Sequence, residues 1–395
     1  MKFERTFLSA RHLWSSPFVR WQGGLADVSS LDLAVAVTRD ALARLNLDPA
    51  RIGRIVLGTT IPQPQSFYGA PWIAAQLGMA GISGPHIAQA CATSVACLVA
   101  AAQAAEVDPG AASLVVTADR TSNGPLLVYP RSQGMGGAPQ TEHWVLDSFA
   151  ADPWTHESMV HTAEAVARDG AMTRAALDEL TLLRYSQYQR ALADDRAFQR
   201  RWMQPVSIAK GKSRLVVDAD EGVHPYTAEA LAGLKPVMTD GVTTFGSQTH
   251  PADGCAGAVV CDGPTARDLA GGGGIVQMLS AGFARAEKGR MPKAATLAAQ
   301  HALASAGVAI GDVKYVTTHN PFAVNDLWFA QQTGYPLERM NPYGCSLIFG
   351  HPQGPTGLRS IVELVHALRE TGGGIGLFAG CAAGDTGAAL VIRVD

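Results

Sequence analysis

Residues 84–103 read GPHIAQACATSVACLVAAAQ and place Cys91 immediately ahead of a long run of small apolar residues. A cysteine at the start of a helix sits at the positive end of the helix dipole, where the thiolate is favoured and its pKa falls. On this stretch alone a small buried core thiol is the stronger reading, and Cys97, inside the run, is its natural example. His351 stands between a glycine and a proline in NPYGCSLIFGHPQGPTGLRS, residues 341–360, a turn that feeds a helix. Such dense turn residues fix the backbone around a polar group and present an imidazole at a cleft; a structural histidine bonded to a nearby carbonyl is the alternative. Cys381 opens the small-residue turn of GCAAGDTGAAL, residues 380–390, where a ligand can approach the backbone. His319 and Asn320 follow KYVTT and precede Pro321, which leaves a polar pair at a strand end or in a capped turn.

All four stretches follow a strand-like segment or precede a helix-like one, and the elements that carry them recur in two halves. RDALARLNLDPARIGRIVLGTT (39–60) and QHALASAGVAIGDVKYVTTHNP (300–321) align without gaps through Ala41/Ala302, Leu42/Leu303, Ala43/Ala304 and the apolar pairs Leu47/Val308, Ile52/Val313 and Ile55/Val316. Each copy reads as helix, turn and strand. Each half then offers a helix of small residues, about 93–106 and about 356–369, followed by an apolar strand, SLVVTAD (113–119) or IGLFAGC (375–381). Alternating helices and short buried strands imply a duplicated α/β architecture.

Between roughly 120 and 243 this pattern lapses and charged helical stretches such as TRAALDELTLLRYSQYQRALADDRAFQRRW appear. Thr173 is a plausible N-cap there, and the Arg and Asp positions look solvent-facing, as in a helical cap over the first core. The expected organisation is a first core over 1–120, an inserted cap over 121–243, completion of the first core over 244–270, and a second core over 271–395 that begins at the glycine run 271–274.

Bulk properties narrow the function classes. The 395 residues allow two or three domains, and 47% apolar against 16% charged residues suits a chain with much of its length buried, in part against other subunits. A net charge of −3 without Lys/Arg runs argues against a nucleic-acid partner and for a small ligand. Six scattered cysteines without a CxxC pair suggest neither a metal knuckle nor a disulfide framework, and fit reduced thiols in the cytoplasm. The N-terminal stretch lacks an apolar signal core, no uninterrupted apolar run has membrane-span length, and the terminal IRVD matches no lipidation or peroxisomal address.

Taken in chain order, AQACATSVA, SMVHTAEAVA, DADE, LKPV, an ADG turn, the GHP turn and a final cysteine turn resemble the thiolase family over nearly the whole length. GHPQGPTG and SMVHTAEAVA are the specific matches. HNPFAVNDL resembles the HDCF variant of sterol-carrier-type thiolases through His319, Phe322 and Asn325, where most thiolases carry NEAF. The nucleophile segment has CATS where many relatives have CxSG, and the last turn has CAAG for CxGG.

The resemblance implies a thiolase-like fold, a duplicated αβαβα layered core with an inserted helical loop domain. It also implies cleavage of a 3-oxoacyl-CoA by coenzyme A, or the reverse Claisen condensation. Cys91 would accept the acyl group, His351 would activate it, and Cys381 would exchange a proton at the α-carbon. Two oxyanions form on this path. The resemblance assigns one to His319 with His351 and the other to the backbone N–H groups of Cys91 and Ala383. Thr249 stands at the serine that contacts the pantetheine arm, His224 replaces an arginine near the adenine, and Met159 and Phe322 shape the substrate pocket. Coenzyme A is expected as a substrate, with no permanently bound cofactor or metal. The partners to expect are acyl-CoA, a second copy in a homodimer or tetramer, and a small zinc-ribbon/OB-fold protein of the kind some sterol-carrier-type relatives need. Two alternatives stand beside this reading: a thiolase-like subunit active only with such a partner on a bulky acyl-CoA, and a ketoacyl-synthase-type condensing enzyme, for which a terminal CAAG cysteine is not expected.

Overall fold

The computed structural model describes residues 1–131 and 136–395. The first half supplies β1 (Thr6–Ser15), β2 (Val19–Arg20), β3 (Ile52–Gly58), β4 (His86–Ile87) and β5 (Ala112–Arg120). Two hairpins follow, β6 (Leu126–Tyr129) with β7 (Gln140–His143) and β8 (Val206–Lys210) with β9 (Ser213–Val217), before the chain returns through β10 (Ala252–Asp262). The second half adds β11 (Ile275–Arg285), β12 (Val313–His319), β13 (Gly374–Ala382) and β14 (Thr386–Val394).

The main sheet runs β12-β13-β14-β11-β1-β10-β5-β3-β4, with β2 beside β10. This order mirrors itself about the antiparallel β1–β11 pair, with parallel β3–β5 matching parallel β12–β13 and antiparallel β5–β10 matching β13–β14. The internal repeat therefore delivers β3 and β12 to equivalent places in the two half-sheets.

Period-two alternation explains the layers. Ala256, Ala258 and Val260 of β10 face a central apolar cluster, whereas Cys255, Val259 and Cys261 face an outer one. Strands buried on both faces need helices on both sides. Helices Thr93–Val107 and Pro355–Glu370 fill the centre, where Leu98, Leu358 and Ile361 share one cluster with residues of both half-sheets. Helix Ser30–Arg44 covers the outer face of the first half, and helices Met291–Ala306 and Ala323–Thr333 that of the second. The result is five layers of αβαβα order. The segment Ala90–Val107 is long and apolar enough to cross a membrane on composition alone; its central place, with Cys97, Leu98, Ala101 and Ala102 buried, accounts for that composition.

The segment between β5 and β10 packs on the first core only in part, through Val206 and Val217 of the β8–β9 hairpin, which join its outer cluster. Residues 132–135 of the expected cap lie outside the described residues. Helices Met159–Asp169 and Arg174–Ala191 bury Ala163, Val166, Leu177 and Leu180 in the outer cluster of the second half, not over the first core. Thr173 does cap the longer helix by accepting from Ala176 N at 3.2 Å. Arg184, read as solvent-facing, is instead fully buried and binds Asp326 at 2.8 Å. Its Nη1 donates to the carbonyls of Leu337 and Met340 and to the amide oxygen of Gln187, and these bonds with the Asp326 pair offset part of the cost of burying the charge.

Candidate active site

Cys91 sits in the elbow between β4 and helix Thr93–Val107. Ala90 before it has φ of 45°, a left-handed conformation unusual for a residue with a side chain. Thr93 closes the elbow: its Oγ1 accepts from Gln89 N at 2.8 Å and donates to Ala90 O at 2.7 Å. Gly58 lets the helix approach β3, since a Cβ there would lie 2.7 Å from both Cys97 Sγ and Thr93 Cγ2.

The second half meets this elbow from the opposite side. His351 N donates to His250 O at 2.9 Å, and Ser94 Oγ donates to Gly354 O at 2.5 Å, which ties the GHPQGPTG turn to the first turn of the Cys91 helix. Asp119, at the end of β5, accepts from Thr60 N at 2.7 Å, Thr60 Oγ1 at 2.9 Å, Ile61 N at 3.1 Å and Gly354 N at 2.8 Å. One carboxylate thus joins a loop of the first half to the turn of the second; burial pushes its carboxyl up to about 7.

Cys91 Sγ lies 3.2 Å from His351 Nε2, and His351 Nδ1 lies 2.6 Å from Thr356 Oγ1. The His319 ring stacks on that of His351, centroids 3.9 Å apart. Sγ of Cys91 and one ring nitrogen from each histidine all lie within 4.8 Å of one another. Burial lowers His351 to about 3 and drives His319 well below the usual imidazole range, with His351 contributing repulsion, so both rings are neutral. A thiol facing a neutral imidazole that can take its proton is the arrangement nucleophilic cysteine chemistry requires.

His319 ends β12, where Pro321 stops the strand. Its Nδ1 lies 3.0 Å from Ser346 Oγ, and its buried Nε2 has no partner among the described residues. The Ser346 hydroxyl carries one hydrogen, which goes either to His319 Nδ1 or to Asn320 Oδ1 at 3.2 Å. In the first arrangement Nε2 bears the hydrogen and is a donor at the cavity wall. Asp326 braces this strand end by accepting from Thr318 Oγ1 at 2.6 Å, Asn320 Nδ2 at 2.7 Å and Arg184 Nε at 2.8 Å. Cys381 on β13 accepts from Asn325 Nδ2 at 3.2 Å; burial and the nearby Cys91 sulfur raise its thiol, so it is protonated at neutral pH.

A cavity of about 250 Å³ is lined by Cys91, His319, His351 and Cys381, with Met159, Thr249 and Phe322 on its wall. Ala383 also lines it, and the backbone N–H groups of Ala383 and Cys91 both favour the Cys91 thiolate. A second cavity of about 260 Å³, walled by Ile61, Trp144 and Val145, shares Phe149, Gln353 and Ala383 with the first. Trp144 is fixed there by donating its indole N–H to Thr60 O at 2.9 Å.

Two expectations change. Burial pushes the Cys91 thiol up to about 12, against the two backbone N–H groups that lower it, so the helix dipole does not create a resting thiolate. His351 is buried at 5% exposure, not presented to open solvent, because the cavity wall closes over it. His224 is exposed and lies outside the wall of this cavity. Periodicity and motif reading missed Gln353, Ser346 and Thr356. The one available signal was three polar residues inside otherwise apolar or glycine-rich turns.

The family profile described as thiolase, N-terminal domain, matches residues 14–263, and that of the thiolase C-terminal domain matches residues 273–394. The chain belongs to the thiolase family. It is 28% identical over 384 residues to an acetyl-CoA acetyltransferase of Escherichia coli K12, covering 94% of this chain and 95% of that protein. It is also 28% identical over 381 residues to a beta-ketothiolase of Cupriavidus necator, with the same coverage of 94% and 95%. Among solved structures, an acetyl-CoA acetyltransferase of Bacillus anthracis superposes with a TM-score of 0.90 at 24% identity over 100% of both chains. Human mitochondrial 3-ketoacyl-CoA thiolase in complex with CoA gives 0.90 at 22%, covering 100% of this chain and 99% of that one. These likenesses confirm the α/β thiolase fold. This thiolase-family chain is an acyltransferase.

Proposed function

We propose that this chain cleaves a 3-oxoacyl-CoA with coenzyme A, or runs the reverse Claisen condensation, through an acyl-Cys91 intermediate. The observation that carries this reading is the Cys91 thiol 3.2 Å from a neutral His351 Nε2, with a second, protonated thiol, Cys381, in the same cavity wall. His351 Nε2 takes the Cys91 proton, and the sulfur attacks the 3-keto carbon. The backbone N–H groups of Cys91 and Ala383, which favour the Cys91 thiolate, are the donors offered to the resulting oxyanion. When the Cα–Cβ bond breaks, the electron pair passes to the departing thioester as an enolate. His319 Nε2–H stabilises it, and Cys381 returns a proton to the α-carbon. Coenzyme A then takes the acyl group from Cys91: its thiol passes its proton to the Cys381 thiolate and attacks the acyl carbon, and the departing Cys91 sulfur recovers its proton from His351. A polar cavity wall at Thr249 and an apolar one at Met159 and Phe322 suit the pantetheine arm.

The likeness of HNPF to the sterol-carrier type is supported by His319 occupying the oxyanion-facing wall. The chamber walled by Trp144 and Phe149 suits the acyl group left on Cys91: an apolar cavity of about 150 Å³ already accommodates benzene, and this one is about 260 Å³. A bulky or aromatic acyl chain is therefore the favoured class. Six free cysteines fit a cytoplasmic setting, and homodimer or tetramer formation, with or without a zinc-ribbon/OB-fold partner, belongs to the same reading. Purified protein should consume 3-oxoacyl-CoA when coenzyme A is added, across a panel of short, branched and aromatic chains, and Cys91→Ala should abolish turnover. Equal turnover by Cys91→Ala would remove the nucleophile assignment.

A further inference from the structure

Gln353 occupies the centre of the GHPQGPTG turn with φ of 66°, in the left-handed region. A residue with a long side chain holds that conformation only where its surroundings impose it, and such positions cluster at working sites. Here the turn is clamped on either side by His351 N on His250 O at 2.9 Å and by Gly354 N on Asp119 Oδ2 at 2.8 Å. The side chain is therefore aimed, and its target is the reacting sulfur: Cys91 Sγ donates to Gln353 Oε1 at 3.1 Å.

The geometry contains a conflict. Cys91 has one S–H hydrogen, yet Gln353 Oε1 at 3.1 Å and His351 Nε2 at 3.2 Å both stand ready to accept it. If the hydrogen points at His351, Oε1 faces a lone pair on sulfur, and after the proton leaves it faces a full negative charge. The Gln353 side chain lines both cavities and also bonds to His351, a contact that favours the imidazolium; rotation about its last bond, a torsion with two broad wells, exchanges the atom that faces the sulfur.

We propose that Gln353 is a catalytic residue of this site, whose carboxamide accepts from the resting Cys91 thiol and turns to donate Nε2–H to the sulfur as its proton leaves. In that step the S–H bond breaks, the proton joins the His351 Nε2 lone pair, and the electron pair stays on sulfur. When sulfur attacks the keto carbon, the pair becomes the S–C bond and the amide is released from the charge. An aliphatic residue of the same size would leave the thiolate with backbone donors alone, in surroundings whose burial already disfavours it. The inference rests on Cys91 being the nucleophile in the function proposed above. Its test does not depend on turnover.

The test is the rate of Cys91 alkylation by iodoacetamide across pH, read on the Cys91 peptide by mass spectrometry, for the unaltered chain, Gln353→Leu and Gln353→Glu. Loss of a hydrogen bond to a charged sulfur should slow alkylation about 10- to 100-fold at each pH from neutral to 9. Gln353→Glu keeps the shape of the side chain and should show at least as large a loss of rate, because an ionised carboxylate repels the thiolate. Where a 3-oxoacyl-CoA is turned over, kcat should fall in both variants while KM for coenzyme A changes little. A Gln353→Leu or Gln353→Glu profile that overlays the unaltered one overturns the proposal, and Gln353→Glu alone decides it if Gln353→Leu does not fold. A chain that shows the loss of alkylation rate yet no thiolysis would refute the proposed function and leave this inference standing.

Discussion

Replacing Thr356 by valine keeps the shape of a fully buried side chain and removes the hydroxyl that meets His351 Nδ1 at 2.6 Å. For His351 Nε2 to receive the Cys91 proton, Nδ1 must carry a hydrogen, and Thr356 Oγ1 is the group that accepts it. In the resting site this bond joins two neutral groups and is worth about 1 kcal/mol; once His351 is an imidazolium, it is worth about 1.5–3 kcal/mol. The difference, about 0.5–2 kcal/mol, is the loss the charge-separated step should feel, which is roughly a 2- to 30-fold decrease in the rate of Cys91 acylation. Stability should fall as well, by about 1–3 kcal/mol, because a buried N–H is left unpaired. Rapid-quench measurement of acyl-Cys91 formation reads the first effect, and denaturant unfolding reads the second. Thr356→Ser restores the hydroxyl without the methyl and should recover most of the rate. An acylation rate within twofold of the unaltered chain in Thr356→Val, or equal losses in valine and serine variants, would refute the tautomer argument.

Two further outcomes are expected. Ser346→Ala removes the group that can place the hydrogen of His319 on Nε2, so turnover should drop by up to about 10²-fold, the cost of one oxyanion donor, while Cys91 alkylation is nearly unchanged; loss of alkylation instead would mean that Ser346 merely holds the fold. His12, held near 4, and His351 and His366, held near 3, are buried neutral, and His319 is also held far down. Groups depressed in this way contribute stability that is present above the unfolded value near 6.5 and is lost as pH falls through that range, each by up to about 1.4 kcal/mol per pH unit. Asp119 at about 7 and Glu363 at about 8 act in the opposite sense, with stability present below about 4 and lost as pH rises through 7 to 8. Urea midpoints should therefore decline on both sides of a maximum near pH 6 to 7, and a midpoint that rises steadily from pH 6.5 down to 4.5 would contradict the assignment of neutral histidines.

The helices and strands that carry the chemistry were legible because the duplicated segments repeat their apolar spacing, and both copies fall at matching positions in the sheet. The sign of the Cys91 pKa shift was not. Helix dipoles stabilise a thiolate by about 0.3–1 kcal/mol, up to about 2, whereas the rise from 9.0 to about 12 corresponds to roughly 4 kcal/mol against it. Sequence shows the start of the helix but not how thoroughly the second half of the chain excludes water from it. Arg184 failed for a related reason: helical position predicts solvent, but Asp326, 142 residues away, pairs with it in the interior. Gln353 and Thr356 fell within a motif already read for its histidine, and their roles depend on which atom each side chain meets.

The duplication also bears on why the site stays quiet without substrate. Cys91 comes from the first half, while His319, His351 and Cys381 come from the second, and the two meet where Asp119 and Ser94 bind the Gly354 turn. A site assembled across this seam buries a thiol and two imidazoles together, and burial penalises every charged form: the thiol rises and the histidines fall. Each member alone is therefore unreactive. In the proposed reaction, charge separation becomes accessible only when a substrate carbonyl supplies an acceptor for the sulfur electron pair and the N–H groups of Cys91 and Ala383, which favour the thiolate, serve the developing oxyanion in turn. Fixed donors need not reorient as the charge forms, so the same burial that suppresses a resting thiolate strengthens the donors when the reaction begins.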